Sequence, residues 1–580
     1  MKSARHWLTA FAFAFLLLTG CGPSGGPAGD IPAPTAAPPP AEARAVRQAA
    51  VAIPDRYGAQ VAEDILRAGG NAVDAAVAVG FALAVTYLDA GNIGGGGFML
   101  VYLDGEPAFL DYRETAPLAA ERDMYLDANG EVIENASLIG PRAAGVPGTV
   151  AGLQVAWQRY GTLPWKDLVM PAVKLAEEGF LPARALVEDV RSYYGRFADK
   201  TNFRAYYGGI SADEPFRQPE LAQTLRRIAE FGAEDFYRGE TARLIVEHMA
   251  RSGGIITIDD LEGYGAVWRT PLRSPWREYE VLSAPPPSSG GFAVIQLLKM
   301  KDDLDHQFVG LAHNSPQYIH LVAEMEKRVF ADRAEYLGDP DFTYNRMDEL
   351  LDENYIERRA REVDPGKISQ LESVRPGLES PNTTHYSIVD SQGNAVANTY
   401  TLNSSYGSGE IVAGAGFLLN NEMDDFSVKA GVPNYYGVVG GTANEIQAGK
   451  RMLSSMSPTI LLRGREIELV IGTPGGSTIF TSVFQSIVNL YDFHMTPLDA
   501  VAATRFHHQL LPADLITYSV SRPLPQETIS ALEKRGYRAE PHGWDFGDVQ
   551  LIQRVAGEWV PASDPRYRGE SRVLTLGDAP

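Results

Sequence analysis

The chain has 580 residues, 45% of them hydrophobic, which is enough to bury a large core. Its formal net charge of −22 speaks against nucleic acid as a partner, because phosphate binding needs a basic face. Cys21 is the only cysteine, so no disulfide can form within the chain.

Lys2 and Arg5 precede an apolar run at residues 11–18, followed by Leu18-Thr19-Gly20-Cys21. The run is too short to span a bilayer and reads as a signal peptide. The last four residues resemble a bacterial lipobox. Residues 1–20 are then a leader, and Cys21 is the lipidated first residue of the mature chain. Residues 21–45 are rich in Pro, Ala and Gly and read as a disordered tether. The expected location is the periplasm, on a lipid anchor. Gly22 after Cys21 favours the outer membrane.

Residues 57–68 have an amphipathic helical pattern, broken by Gly69-Gly70. Asn71 can cap the next helix, residues 72–85, which is apolar on nearly every face and so should be buried. The glycine-rich stretch at residues 91–97 lacks the Gly-Lys-Ser/Thr of a phosphate loop. It reads instead as a close approach of backbones. Strands are expected at residues 98–103 and 109–112, the second ending at Arg113-Glu114-Thr115-Ala116-Pro117. Residues 160–280 read as helices and loops. Pro285-Pro286-Pro287-Ser288-Ser289-Gly290-Gly291 opens a helix from Phe292, and Ser315 caps another with Pro316 at its first position. Residues 338–380 read as a partly exposed connection.

Residues 383–389 then alternate β-branched and aromatic side chains as a strand does. Ser391-Gln392-Gly393 reads as a three-residue hairpin loop, with residues 395–401 as the return strand. A hairpin symmetric about Gln392 sets Thr383 opposite Thr401, on one side of the sheet. Further on, residues 467–472 form a short apolar strand, Thr473-Pro474-Gly475-Gly476-Ser477 a turn, and residues from Ile479 a helix. Free N–H groups at such a helix start suit an oxyanion. The acidic run around Asp425 lacks EF-hand spacing, and no histidine cluster, His507-His508 included, has zinc spacing, so no metal is assigned.

PNTTHYSIVD, TYTLN from Thr399, LLNNEMDDF and PGGS together resemble the γ-glutamyltransferase family of N-terminal nucleophile hydrolases. The resemblance runs from about Val46 to Asp564-Pro565-Arg566. It implies an α+β fold, a four-layer αββα sandwich built from the two pieces of one self-cleaved precursor. Cleavage is expected at Asn382–Thr383, leaving a large piece, residues 46–382, and a small catalytic piece, residues 383–580. The freed Thr383 then carries both nucleophile and base. Its hydroxyl needs a proton acceptor, and a free α-amine, with a reference pKa of about 7.7–8.0, supplies one. Thr384, His385 and Thr401 are the unranked candidates to assist the cut itself.

The resemblance further implies that Thr401 orients the nucleophile and that Gly475 and Gly476 form the oxyanion hole. Arg113, Ser454 and Ser455 are expected to hold the substrate α-carboxylate. Asn403, Glu422 and Asp425 are expected to hold its α-amino group. Residues 430–441, with Tyr436, resemble the lid of some members. The implied activity is cleavage of γ-glutamyl amides such as glutathione, with transfer to water, amino acids or dipeptides and without a cofactor. A cephalosporin or glutaryl acylase, a poly-γ-glutamate depolymerase and an inactive surface lipoprotein are the alternatives.

Overall fold

The computed structural model describes residues 47–370, 383–429 and 441–576. The chain divides after Ala45, and all the described residues belong to the second unit, Val46–Pro580. Cys21, the leader and tether, Asn382 and Tyr436 fall outside the described residues.

The hairpin forms as its alternation predicts. Strand Thr383–Val389 pairs antiparallel with Ala395–Thr401, from Thr383 opposite Thr401 to Val389 opposite Ala395, with no bulge. Gly393 takes φ +84°, the left-handed geometry that closes the loop. Asp390 accepts hydrogen bonds from the Gln392 and Asn394 amides and also from Ala72 N, tying the turn to the start of a helix.

The two strands lie in the middle of a seven-stranded antiparallel sheet. Its order is Glu570–Leu576, Arg47–Ile53, Thr383–Val389, Ala395–Thr401, Gly96–Leu103, Glu106–Tyr112, Val267–Arg269. A six-stranded antiparallel sheet packs face to face with it. Its order is Glu558–Ser563, Gln550–Val555, Glu466–Gly472, Thr459–Arg463, Tyr279–Ser283, Leu272–Trp276. Phe98, Leu100 and Phe109 from the first sheet meet Leu282, Ile460 and Val470 from the second. Strand alternation sends every other side chain to this layer and the rest toward helices.

Two further apolar layers cover the outer faces. Helix Ala72–Thr86 lies on the first sheet and is buried along all fifteen residues, because other helices cover its outer side. Asn71 caps it by accepting from Val73 N and Asp74 N, while Asp74 accepts from Asn71 N. Helices Gly290–Asp303, Pro316–Tyr336 and Thr478–Tyr491 cover the second sheet. The result is the αββα sandwich.

Two expectations need correction. Residues 160–280 are not only helices and loops, since Val267–Arg269, Leu272–Trp276 and the start of Tyr279–Ser283 are strands. These short polar strands sit toward sheet edges, where a weak pattern suffices. Residues 338–370 also carry structure, with helices Met347–Leu350 and Glu353–Arg361. The second is strongly charged and buries only Ile356 and Ala360, so its apolar signal is thin.

Candidate active site

The site sits at one end of the space between the sheets, where the nucleophile hairpin meets the end of strand Glu466–Gly472. There the two layers touch closely: a Cβ on Gly472 would fall 2.3 Å from His385 Cε1. One narrow cavity is lined by Arg113, Thr383, Thr401, Asn403, Glu422, Asp425, Ser454, Ser455 and Gly476. Nine of the expected residues, drawn from six separate stretches of sequence, therefore share one space. Gly475 lies beside that lining rather than in it.

Thr383 Oγ1 donates to Thr401 Oγ1 over 3.4 Å, and Thr401 Oγ1 accepts from Asn403 N at 2.7 Å. Both threonines are buried. Of the other two candidates to assist the cut, neither has its side chain free beside Thr383. Thr384 faces the opposite side of the strand by simple alternation. His385 has one nitrogen 2.7 Å from Thr399 Oγ1 and the other 3.1 Å from Ser387 Oγ. Burial pushes its pKa down to about 3, so it is a neutral spacer between the sheets.

The glycine-rich stretch supports this hairpin by close approach. A Cβ on Gly95 would lie 2.0 Å from the Thr401 carbonyl oxygen, and one on Gly97 would lie 2.4 Å from that of Thr399. Asn420 stitches the same region together, donating to the Gly94 and Gly145 carbonyls and accepting from Gly145 N and Glu422 N. Asn403, at φ +74°, donates to the Asn421 carbonyl at 2.9 Å.

Arg113 is fully buried. Its Nη1 lies 2.7 Å from Glu422 Oε2, and its Nη2 donates to Asp425 Oδ2. The residues expected to hold an α-carboxylate and an α-amine thus pair with each other here. The cavity they leave, about 20 Å³, has room for roughly one water, so a ligand must part them. Burial raises the pKa of Asp425 and, more strongly, of Glu422, with Arg113 opposing both.

Ser454 and Ser455 are gripped by a segment whose reading stopped at a helix start. Ser289 N donates to the Ser454 carbonyl at 2.7 Å, and Ser288 Oγ donates to the Met456 carbonyl at 2.6 Å. Arg333 Nε bonds Ser289 Oγ at 2.9 Å, and its Nη2 reaches Ser455 Oγ at 3.4 Å. Ser288, Ser289 and Arg333 were missed. The Pro-Pro-Pro-Ser-Ser-Gly-Gly run was the only signal for the first two, and Arg333 lies on a long buried helix with none.

At the glycine turn, Gly475 and Gly476 have φ of +139° and +57°. Their carbonyls accept from Thr478 N and Ile479 N. Neither glycine N–H has a partner among the described residues, so both donors are available to an anion at the start of helix Thr478–Tyr491. The chemistry this arrangement supports is acyl transfer: a hydroxyl nucleophile, an orienting hydroxyl, amide donors for an oxyanion and a charged clamp.

A four-layer αββα sandwich with a threonine at the head of a central strand defines an N-terminal nucleophile hydrolase. The comparisons narrow this. The gamma-glutamyltranspeptidase family model matches residues 58–574. A glutathione hydrolase proenzyme of Pseudomonas aeruginosa is 56% identical over 526 residues, covering 90% of this chain and 94% of that protein. One from Escherichia coli K12 is 44% identical over 532 residues, covering 90% of each. A solved gamma-glutamyltranspeptidase from Pseudomonas nitroreducens, complexed with L-DON, matches with TM-score 0.55 at 55% identity, covering 56% of this chain and 96% of that chain. A cephalosporin acylase from Bacillus halodurans matches with TM-score 0.79 at 26% identity, covering 91% of this chain and 96% of that chain. The chain belongs to the gamma-glutamyltranspeptidase family.

Proposed function

We propose that the protein is a γ-glutamyltransferase and glutathione hydrolase that matures from a proenzyme. The observation that carries this is the single cavity in which Thr383 and Thr401 meet Arg113, Asp425, Ser455 and the glycine turn. Thr383 Oγ attacks the γ-glutamyl amide carbonyl, and the α-amine of Thr383 takes the hydroxyl proton. Gly475 and Gly476 N–H groups stabilise the tetrahedral oxyanion. The amine then gives the proton to the leaving nitrogen as the C–N bond breaks. Water, an amino acid or a dipeptide attacks the resulting ester and regenerates the hydroxyl.

Arg113 with Ser454 and Ser455 holds the donor α-carboxylate, and Asn403, Glu422 and Asp425 hold its α-ammonium. A glutaryl group keeps a carboxylate at the α-carboxylate position but lacks the α-ammonium, so Asn403, Glu422 and Asp425 set this site apart from a glutaryl acylase, although a cephalosporin acylase shares the fold. Cleavage at Asn382–Thr383 yields a heterodimer whose large piece carries residues 46–382 behind the tether and whose small piece is residues 383–580. Without the tether the large piece is 382 − 46 + 1 = 337 residues, or 337/580 = 58% of the chain. This agrees with a solved relative whose chain spans 56% of this one. Export, lipidation at Cys21, residence in the periplasm on the outer membrane, and a lid carrying Tyr436 belong to the same reading and rest on the sequence.

A donor screen on matured protein tests the activity. γ-Glutamyl amides, glutathione among them, should be cleaved and glutaryl amides spared. Equal turnover of both, or of glutaryl amides alone, would move the protein to the acylases.

A further inference from the structure

Arg113 has more carboxylates around it than one guanidinium can neutralise. Besides Glu422 and Asp425, Glu114 Oε2 lies 3.5 Å from its Nη1. The Glu114 and Glu422 side chains are fully buried. Glu114 Oε1 has no partner among the described residues. Two glycines make room for this side chain: a Cβ would lie 2.8 Å from its carboxyl carbon on Gly96 and 3.0 Å from its own Cβ on Gly145.

Among the described residues no other cation is left over for Glu114. Arg333, which acts on Asp425, is bonded to Ser289 and lies within reach of Ser455. Arg269 and Arg451 are engaged by Asp111, at 2.7 Å and 3.4 Å. The remaining titratable neighbours are the buried tyrosines Tyr112, Tyr237 and Tyr264, and the Tyr264 hydroxyl donates to the Arg113 carbonyl at 2.9 Å. Three carboxylates on one buried guanidinium cannot all be ionised without leaving buried charge unpaired.

We propose that Glu114 works as a neutral carboxylic acid, leaving the charge of Arg113 for the α-carboxylate of a γ-glutamyl donor. Glu114 acts through Arg113 and is a positioning residue; its role rests on the clamp assigned above. An ionised Glu114 at 3.5 Å would compete with the donor carboxylate for Nη1 and repel it. Burial holds the Glu114 carboxyl up at about 8, against the pull of Arg113. The protonated form is the one that binds, so binding raises this pKa further. Affinity is therefore full below about pH 8 and falls as pH rises above it, with a proton taken up on binding there. Glu422 and Asp425 give the opposite sign. They must be ionised to hold an ammonium, so their part of the linkage releases protons on binding.

Calorimetric titration of the matured heterodimer with L-glutamate, in buffers of different ionisation enthalpy, measures both affinity and proton exchange. The ligand's own ammonium titrates equally against wild type and Glu114→Gln, so the ratio of the two affinities isolates Glu114. That ratio should rise roughly tenfold in favour of Glu114→Gln between about pH 7 and pH 9, as one group with a pKa of about 8 requires. At pH 9 the wild type should take up nearly one proton more than Glu114→Gln does. A ratio that stays constant overturns the proposal and leaves the clamp standing. If glutamate binds at neither pH, the clamp assignment falls, and the proposal with it. Should Glu114→Gln fail to fold, a ligand-minus-free infrared difference spectrum of wild type at pH 9 decides instead. It should gain a protonated-carboxyl C=O band, and its absence overturns the proposal.

Discussion

Thr383 and Thr401 close one end of an unbroken antiparallel ladder, and their hydroxyl oxygens are 3.4 Å apart. Backbone pairing alone fixes this approach, since directly opposed residues on a sheet share a face. A short local turn thus brings together the two threonines proposed above as nucleophile and orienting group.

Thr401→Val keeps the side-chain shape and deletes that hydrogen bond. One ordinary hydrogen bond contributes about 1 kcal/mol, so kcat should fall roughly fivefold in molecules that have matured. Steady-state kinetics on the purified heterodimer check this. An unchanged kcat would leave Thr401 a structural strand residue.

Thr383→Ala should give one uncut chain without activity, because both the cut and the turnover need the hydroxyl. In the wild type, denaturing electrophoresis should show two pieces, the smaller of 580 − 383 + 1 = 198 residues. Its N-terminal sequence should read Thr-Thr-His-Tyr. A start at Thr384, or full activity in an uncut chain, would sink the mechanism.

Arg113→Lys retains a charge but loses the planar fork that reaches Glu422 and Asp425 together. Loss of one charge-assisted hydrogen bond costs about 1.5–3 kcal/mol, so KM for γ-glutamyl donors should rise roughly ten- to hundredfold. Asp425→Asn should weaken donors bearing an α-amine and spare glutaryl analogues. Equal losses for both would remove Asp425 from the amine site.

Gly95→Ala places a methyl 2.0 Å from the Thr401 carbonyl and 2.7 Å from Asn92 Oδ1. A paired strand carbonyl cannot retreat without moving Thr401, so overpacking of about 1–3 kcal/mol is expected, with slower maturation. Thermal unfolding and the residual precursor fraction report the two effects. No change in either would mean the hairpin yields freely there.

Cys21→Ala should release the protein from the membrane fraction with its activity intact. Persistence of the variant on membranes after a carbonate wash would show that something other than a lipid holds it.

Features that local geometry controls were legible in the residues alone. The period-two pattern and a three-residue loop set the hairpin and its register, so Thr383 could be matched to Thr401 before any fold was known. The run at residues 72–85, apolar on nearly every face, read as a buried helix, and four glycines in a row read as backbones in contact. Quoted motifs, rather than periodicity, supplied the clamp. How the proposed clamp is charged emerges only from the packing. Arg113 and Asp425 are 312 residues apart, and nothing in the spacing says that they touch or that Glu114 and Glu422 crowd the same guanidinium. Likewise Ser288, Ser289 and Arg333 reach Ser454–Met456 from a loop and a helix more than a hundred residues away in sequence. The physical reason is that register follows from backbone geometry over a few residues. Ionisation depends instead on burial and on every charge within a few ångströms, and the packing of distant segments sets both.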